Sequence, residues 1–203
     1  MKVIGLTGSS GAGKGEVAAI FRRHGIPVID ADAVYHDILS GGGECTEELS
    51  AAFGTQILDP RGLVSRRALA DTVFGKPNTE ALLHTLNEIT HKYVMSETKK
   101  MLSALKNGGA AVAVIDAPLL FEANAHLECD LTVGVLAARE LRLQRVMARD
   151  GISAEHAEKR LQAQKPDAFY LDRCDRILEN NNDLAALERA VAALLVELGV
   201  KLG

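Results

Sequence analysis

The sequence predicts an α/β fold built on a parallel β-sheet. Short, fully apolar runs alternate along the chain with longer segments of helical periodicity, the pattern of strands that are covered by helices on both faces of a sheet. A glycine-rich stretch, GSSGAGK, joins the first apolar run to the first helical segment, and two other apolar runs end in aspartate. Ligands in such folds bind at the carboxyl ends of the strands, so these features predict a site at that edge.

Composition indicates an ordinary globular protein. The chain has 203 residues, of which 47% are hydrophobic and 25% charged, enough for one compact domain with small insertions. A net charge of -4 argues against a nucleic-acid-binding role. The three cysteines lie outside any metal-binding spacing and are predicted to be free thiols. We find neither a leader pattern nor an apolar run of membrane-spanning length, and we expect a cytoplasmic location.

Five apolar runs are predicted to be strands, and the fifth is the weakest. In chain order they are residues 3–7, 26–30, 111–117, 131–136 and 176–178. Helices are predicted after the first strand, over EVAAIFRRHG, and at the end of the chain over residues 183–198, where Ala and Leu line one side.

The region between the second and third strands has no good strand signal. It holds four helical patterns, which are AVYHDILS, TEELSAAFG, SRRALADTVF and residues 79–106. Because a crossover needs only about a dozen residues, this region is predicted to be an inserted helical subdomain. Residues 138–164 form a further helical segment that breaks at DGIS, where Ser153 is the expected N-cap.

The stretch GLTGSSGAGKGEV fits a phosphate-binding loop as far as Lys14. Its glycines permit backbone conformations that direct successive N–H groups at one anion, and the helix that follows adds partial positive charge at its N-terminus. Lys14 is predicted to reach the β- and γ-phosphates of a nucleotide. Gly15, however, stands where Ser or Thr is usual. A flexible turn between strand and helix is the alternative interpretation.

Three aspartates follow predicted strands. Asp30 and Asp32 are two residues apart, so on an extended segment both carboxylates would face the cleft above the sheet. There they would accept a proton from an acceptor hydroxyl or hold Mg²⁺. Capping of the next helix by Asp32 is the alternative. Asp116, directly after the third strand, has the position of a Walker B carboxylate that orients Mg²⁺ directly or through water, unless it only caps a turn.

Three arginines lie on one face of the predicted helix in AARELRLQRVMARDG. Arg142, Arg145 and Arg149 follow an i, i+3, i+7 spacing. Such a stripe is either a solvated charged face or a set of cations that neutralises a transferring phosphoryl group, and the spacing leaves both open. None of the six histidines falls into a metal-binding pattern.

In order, these motifs resemble the dephospho-CoA kinases. The resemblance rests on VIGLTGSSGAGKGEVA, VIDAD, DAPLLFE, RVMARDGIS and an asparagine after the weak fifth strand, and it covers essentially the whole chain. PLLFE is the discriminating piece. The resemblance implies a P-loop kinase fold: a five-stranded parallel sheet flanked by helices, with a helical substrate-binding insertion and a helical lid. It assigns residues 1–32, 109–137 and 166–203 to the nucleotide-binding core, 33–108 to the substrate domain and 138–165 to the lid.

The resemblance also implies an activity, the ATP-dependent phosphorylation of the ribose 3′-hydroxyl of dephospho-CoA with Mg²⁺ as cofactor. Asp32 would position or deprotonate the hydroxyl, and Lys14, Arg145 and Arg149 would be the other catalytic residues. Mg²⁺ would be held by Asp116 and Asp32, directly or through water. The implied ATP-binding residues are Gly8, Ser9, Ser10, Gly11, Ala12, Gly13, Lys14, Gly15, Glu16 and Asn180. The implied substrate-binding residues are Asp30, Arg66, His91, Leu119 and Glu122.

The chain departs from the usual pattern of that family at several positions. Gly15 and Glu16 replace Ser and Thr, and we expect water to substitute for the missing hydroxyl on Mg²⁺. Repulsion between Glu16 and a phosphate ~6 Å away would be about 2.8 kcal/mol at an effective dielectric near 20. Attraction between the Glu16 carboxylate and the helix N-terminus offsets only about 0.3–1 kcal/mol of this repulsion. Glu16 is therefore expected to turn to solvent. The other departures are Lys92 for Pro, Tyr170 for Lys and Asn182 for Gly.

Two other functions are compatible with the sequence. One is a kinase of another small nucleoside-like or nucleotide-like acceptor. The other is a nucleotide-binding regulatory protein without turnover, which only Gly15 and Glu16 favour. In each case the expected partner is a small molecule, with no nucleic acid and no membrane, and the chain is expected to be a monomer or a weak homo-oligomer.

Overall fold

The computed structural model describes residues 1–200. The chain divides into two compact units, a sheet unit and a helical unit. The sheet unit is Met1–Ile29 together with the chain from Ala104 onward, and the helical unit is Asp30–Ser103. Residues 138–165, the predicted lid, belong to the sheet unit. The predicted core range 166–203 extends past the described residues at 201–203.

Five strands form one sheet in the order β2-β3-β1-β4-β5. They are β1 (Lys2–Gly8), β2 (Val28–Asp30), β3 (Val112–Asp116), β4 (Leu131–Leu136) and β5 (Arg176–Glu179). The predicted parallel sheet is confirmed, and β1 pairs in parallel with β3 and β4. β2 is shorter than predicted, because Ile26 closes the turn after the first helix by donating to Phe21 O at 3.0 Å, and Pro27 has no N–H to donate.

Helices account for most of the remaining described chain. They are α1 (Lys14–Arg23), α2 (Ala31–Gly41), α3 (Glu44–Phe53), α4 (Arg66–Val73), α5 (Thr79–Asn107), α6 (Arg139–Asp150), α7 (Ala154–Gln162), α8 (Asp167–Leu171) and α9 (Leu184–Glu197). Each predicted helix is present, and Ser153 caps α7 as expected by accepting a hydrogen bond from His156 N at 3.3 Å. The sequence missed α8, which has only five residues and is too short to show a period.

The core of the sheet unit lies between the sheet and helices α1 and α9. Ile4 and Leu6 of β1 are fully buried there, as are Phe21 of α1 and Val191 of α9. Burial of each such side chain stabilises the fold by about 1.5–3 kcal/mol. This packing fixes α1 against β1, and therefore fixes the loop that joins them.

The helical unit has a core of its own. Leu39, Leu49 and Val73 come from α2, α3 and α4, and Ile57 from a short 3₁₀ turn after α3, and all four are at most 1% exposed. The four predicted helical patterns are thus real helices around one apolar cluster. The role of this region in binding substrate stays a prediction.

The three cysteines are free thiols, as predicted. Burial raises the pKa of Cys45 and Cys174 to about 11 and that of Cys129 to about 12, so all three are protonated at neutral pH and are poor nucleophiles. Within residues 1–200 no helix is long and apolar enough to cross a membrane.

Candidate active site

The glycine-rich loop is Gly8–Lys14, between β1 and α1. Gly11 and Gly13 have φ of 78° and 97°, in the left-handed region that favours glycine. A Cβ on Gly11 would lie 2.6 Å from the carbonyl oxygen of Arg142, and one on Gly13 would lie 2.1 Å from Nδ2 of Asn180. These two glycines are therefore required both by backbone conformation and by the close approach of α6 and of the β5–α9 connection.

Lys14 and Asp116 form an ion pair at the carboxyl edge of the sheet. Lys14 is the first residue of α1, and Asp116 is the last residue of β3, paired in register with Leu6 of β1. Both side chains are largely buried, at 19% and 7% exposure. The predicted phosphate lysine and the predicted Walker B carboxylate are thus brought together, from positions 102 residues apart.

Three side chains bind consecutive carbonyl oxygens of the loop. Arg142 Nε donates to Ser10 O at 3.3 Å, Arg145 Nη1 to Gly11 O at 3.3 Å, and Asn180 Nδ2 to Ala12 O at 2.9 Å. In a trans peptide the carbonyl and the next N–H point in opposite directions. These contacts therefore direct the N–H of Gly11 away from Arg142 and the N–H of Gly13 away from Asn180, as a phosphate cradle requires.

The arginine stripe of α6 faces the loop, so the interpretation as a solvated face is wrong. Arg142 is only 6% exposed and pairs with Asp167 at 2.9 Å. Arg149 is exposed, and its Nη2 donates to Ser10 Oγ at 3.2 Å. Arg149 Nε also donates to Asp150 Oδ1 at 2.7 Å, and this hydrogen bond raises the pKa of the guanidinium. A catalytic role for Arg145 and Arg149 stays a prediction.

Asp30 and Asp32 do not lie on one extended segment, and this part of the sequence prediction is wrong. The strand ends at Asp30, whose Oδ1 accepts hydrogen bonds from the backbone N–H of Asp32 at 3.0 Å and of Ala33 at 3.1 Å. Asp30 is therefore the N-cap of α2, the role considered for Asp32. Asp32 lies in the first turn of α2 with an exposed side chain.

Arg66 contacts the face of α2 that carries Asp32. Its Nη1 lies 2.8 Å from Nδ1 of His36, and His36 is four residues from Asp32 on the same helix, so the two share a face. His91, another predicted substrate residue of the helical unit, is half-buried on α5. His36 therefore contacts one predicted site residue, Arg66, and shares a helix face with another, Asp32.

Leu119 and Glu122 follow β3 in the segment PLLFE, and both are exposed. The segment is held to β1 by Thr7, whose Oγ1 donates to Pro118 O at 3.1 Å. Glu122 is close enough to Tyr170 to add to the effect of burial in raising the pKa of that phenol. Substrate binding by Leu119 and Glu122 stays a prediction.

Gly15 and Glu16 begin the exposed side of α1. Both residues are exposed, as expected for Glu16. A Cβ on Gly15 would meet no atom within 4 Å. The chain therefore lacks the usual hydroxyl at this position although there is room for it.

The loop fits a bound phosphate, and the site fits an Mg²⁺ ion whose ligands are mainly water and substrate phosphates, with one carboxylate from the protein. Ser9 Oγ is buried without a hydrogen-bond partner among the described residues, and so it is available to a bound group. No cluster of three or more His, Cys, Asp or Glu suited to a metal occurs within residues 1–200. Mg²⁺ characteristically keeps several waters and takes one or two carboxylates plus substrate phosphates, a requirement that Asp116 meets from the protein side.

Together, the glycine loop, its lysine and a strand-end aspartate on a parallel sheet are the features of a P-loop kinase. Comparison with known protein families identifies which kind of P-loop kinase this is. The family described as dephospho-CoA kinase matches residues 2–186, and the chain belongs to that family. This membership confirms the family resemblance found in the sequence and the predicted enzyme class, a phosphotransferase.

Individual relatives are similar to this chain over nearly its full length. A dephospho-CoA kinase of Syntrophotalea carbinolica is 36% identical over 98% of this chain and 92% of its own. A crystal structure of a Thermus thermophilus protein aligns with a TM-score of 0.79 at 37% identity, covering 97% of each chain. The dephospho-CoA kinase from Campylobacter jejuni aligns with a TM-score of 0.71 at 26% identity, covering 98% of each chain.

Sequence reasoning missed two residues that contact predicted site residues, Gln164 and His36, and it left open what Arg142 contacts. Gln164 accepts a hydrogen bond from Ser10 N at 2.8 Å, Arg142 Nε donates to Ser10 O, and His36 Nδ1 lies 2.8 Å from Arg66 Nη1. The i, i+4 spacing of Asp32 and His36 was a usable signal. Nothing in the sequence pointed to Gln164, because it lies 154 residues from its partner.

Proposed function

We propose that this chain transfers the γ-phosphoryl group of ATP to the ribose 3′-hydroxyl of dephospho-CoA, giving coenzyme A and ADP. Family membership supports the acceptor. The observation that supports the reaction is the Lys14–Asp116 ion pair beside the glycine loop, because a lysine and a strand-end carboxylate next to such a loop are the groups with which P-loop enzymes bind the phosphates and Mg²⁺ of a nucleoside triphosphate.

The residues of the sheet unit bind and orient the donor. The N–H groups of Gly11 and Gly13 and the N-terminus of α1 bind the phosphate oxygens. Lys14 moves from Asp116 to the β- and γ-phosphates and offsets negative charge as the phosphoryl group is transferred. Arg145 and Arg149 add positive charge from α6. Asn180 holds the loop by its hydrogen bond to Ala12 O and contacts the nucleotide near its adenine.

The residues of the helical unit act on the acceptor. Asp32 orients the 3′-hydroxyl and accepts its proton. Because the transition state of phosphoryl transfer is loose, positioning contributes more than proton removal. Arg66, with His36 beside it, binds an anionic group of the acceptor. His91, Leu119 and Glu122 are proposed to complete the acceptor site.

Mg²⁺ would be held by Asp116 and by water, with Asp32 as the second candidate ligand, and when bound it would neutralise charge on the β- and γ-phosphates. Water would take the place of the hydroxyl that Gly15 lacks as a ligand of Mg²⁺. Residence in the cytoplasm and a monomeric or weakly associated state are further expectations for such an enzyme.

Gly15→Ser is expected to lower the Mg²⁺ concentration needed for half-maximal rate by about two- to tenfold, the range for one hydrogen-bonding group. The space around Gly15 accepts the side chain. Gly15→Ala is the matched control, because both variants stabilise the first turn of α1 but only serine supplies a hydroxyl. Mg²⁺ titrations of the initial rate compare the three proteins. Equal Mg²⁺ requirements for Ser and Ala would show that the hydroxyl has no place at this site.

The proposed reaction is tested by ADP release from ATP and Mg²⁺, with and without dephospho-CoA. Adenosine, AMP and pantothenate-type acceptors are run alongside. We expect turnover with dephospho-CoA far above that with the other acceptors. Turnover with one of those and none with dephospho-CoA would make the chain a kinase of a different acceptor. Tight ATP binding with no turnover on any of them would make it a regulatory protein.

A further inference from the structure

The backbone of Ser10 is held by two side chains, one bound to its N–H and one to its carbonyl oxygen, which belong to successive peptide groups. Gln164 Oε1 accepts from Ser10 N at 2.8 Å, and Arg142 Nε donates to Ser10 O at 3.3 Å. Gln164 and Arg142 also meet each other, with Arg142 Nη2 at 3.4 Å from Gln164 Oε1. The two side chains therefore form one connected set of hydrogen bonds around a single residue of the loop.

Arg142 is itself fixed within this set. It is 6% exposed, and its Nη1 pairs with Asp167 at the start of α8 at 2.9 Å. The guanidinium thus makes three contacts in fixed directions, with Asp167, Gln164 and Ser10, and its planar shape holds those directions together. A buried guanidinium whose three nitrogens each make a contact within the protein is suited to setting the geometry of the loop.

Gln164 comes just after α7, and its backbone N–H donates to Leu161 O at 3.2 Å. Arg142 lies on α6. The loop is therefore held by α6 and by the residue two positions beyond α7, both in the segment predicted as the lid, and its nucleotide-binding geometry depends on the position of that segment.

We propose that Gln164 and Arg142 are positioning residues of the ATP site, which act on the donor by holding the two peptide groups on either side of the Ser10 Cα. Arg142 fixes the Ser10 carbonyl and therefore the Gly11 N–H in the same peptide plane, and Gln164 fixes the preceding peptide plane through the Ser10 N–H. The inference rests on the proposed function only in taking ATP as the nucleotide. It concerns the affinity for ATP and makes no use of the acceptor.

The test measures ATP binding by calorimetry, without acceptor, for Gln164→Met, Arg142→Lys and the double variant. Gln164→Met keeps the length of the side chain and removes the acceptor. Arg142→Lys keeps the charge and loses the planar set of donors. Each single variant is expected to weaken ATP binding about three- to tenfold, as for loss of one hydrogen bond. The double variant should weaken ATP binding by less than the product of the two single effects, because the two side chains contact each other and hold the same residue.

Gln162→Met is the matched control. It lies on α7 two residues before Gln164, is exposed, and its Nε2 donates only to Glu158 at 3.1 Å among the described contacts of that side chain. It should bind ATP as the unchanged protein does, and thermal unfolding should be alike for both glutamine variants. In turnover, Gln164→Met should raise the KM for ATP and leave the KM for dephospho-CoA unchanged.

Three results would overturn the proposal. They are unchanged ATP binding in Gln164→Met, equal weakening in Gln162→Met, and full additivity of the two loop-contacting variants. Absence of turnover with dephospho-CoA in the unchanged protein would remove the proposed acceptor but would leave the ATP-binding test intact, so the two failures are distinguishable.

Discussion

Asp32→Asn is expected to lower kcat by about 10²–10⁴-fold, the usual contribution of a positioned general base, and to leave ATP affinity nearly unchanged. The amide keeps the shape of the carboxylate but not its charge, so it orients the hydroxyl by a weaker hydrogen bond and cannot accept its proton. Asp32 lies two residues beyond the end of β2 and is exposed, so the substitution should not disturb the core. Initial rates and ATP binding by calorimetry measure the two quantities separately.

Asp37→Asn is the control for this prediction. Asp37 is also an exposed carboxylate on α2, and five residues of helix place it away from the face of Asp32. It should retain the rate of the unchanged protein. If ATP binding collapses in Asp32→Asn, the residue serves the metal or the fold, and its assignment to the acceptor hydroxyl is wrong.

Lys14→Met is expected to lower kcat/KM for ATP by about 10²–10³-fold, the effect of removing one donor at a developing charge. It should also lower the free energy of unfolding by about 1–3 kcal/mol, because the largely buried carboxylate of Asp116 loses its cation. The methionine side chain keeps the packing of the lysine stem. Steady-state kinetics and urea unfolding provide the two measurements.

The double variant Lys14→Met/Asp116→Asn separates these effects. Replacing the carboxylate with an amide should restore most of the stability, since no unpaired charge is left buried. It should not restore activity, because both the phosphate-binding cation and the metal-binding carboxylate are gone. A double variant that is as unstable as Lys14→Met would show that the ion pair does not account for the loss.

The sequence by itself determined the sheet, every helix but the short α8, the phosphate loop and the family. Each of these is written in local patterns: apolar runs of strand length, a 3.6-residue period, and glycines at fixed offsets before Lys14. The same locality explains its error at Asp30. An aspartate after a short strand is equally compatible with one more extended residue and with an N-cap, and only the start of α2 at Ala31 settles the choice.

The tertiary structure decided what the polar side chains contact. The spacing of Arg142, Arg145 and Arg149 defines one face of a helix, but the spacing alone does not say what that face meets. Packing of α6 against the loop decides it, since the backbone of Arg142 approaches Gly11 so closely that no Cβ fits there. Contacts such as Gln164 with Ser10 join residues far apart in the chain, and a hydrogen bond between them leaves no periodic trace in the sequence because it depends on where folding brings the two segments together.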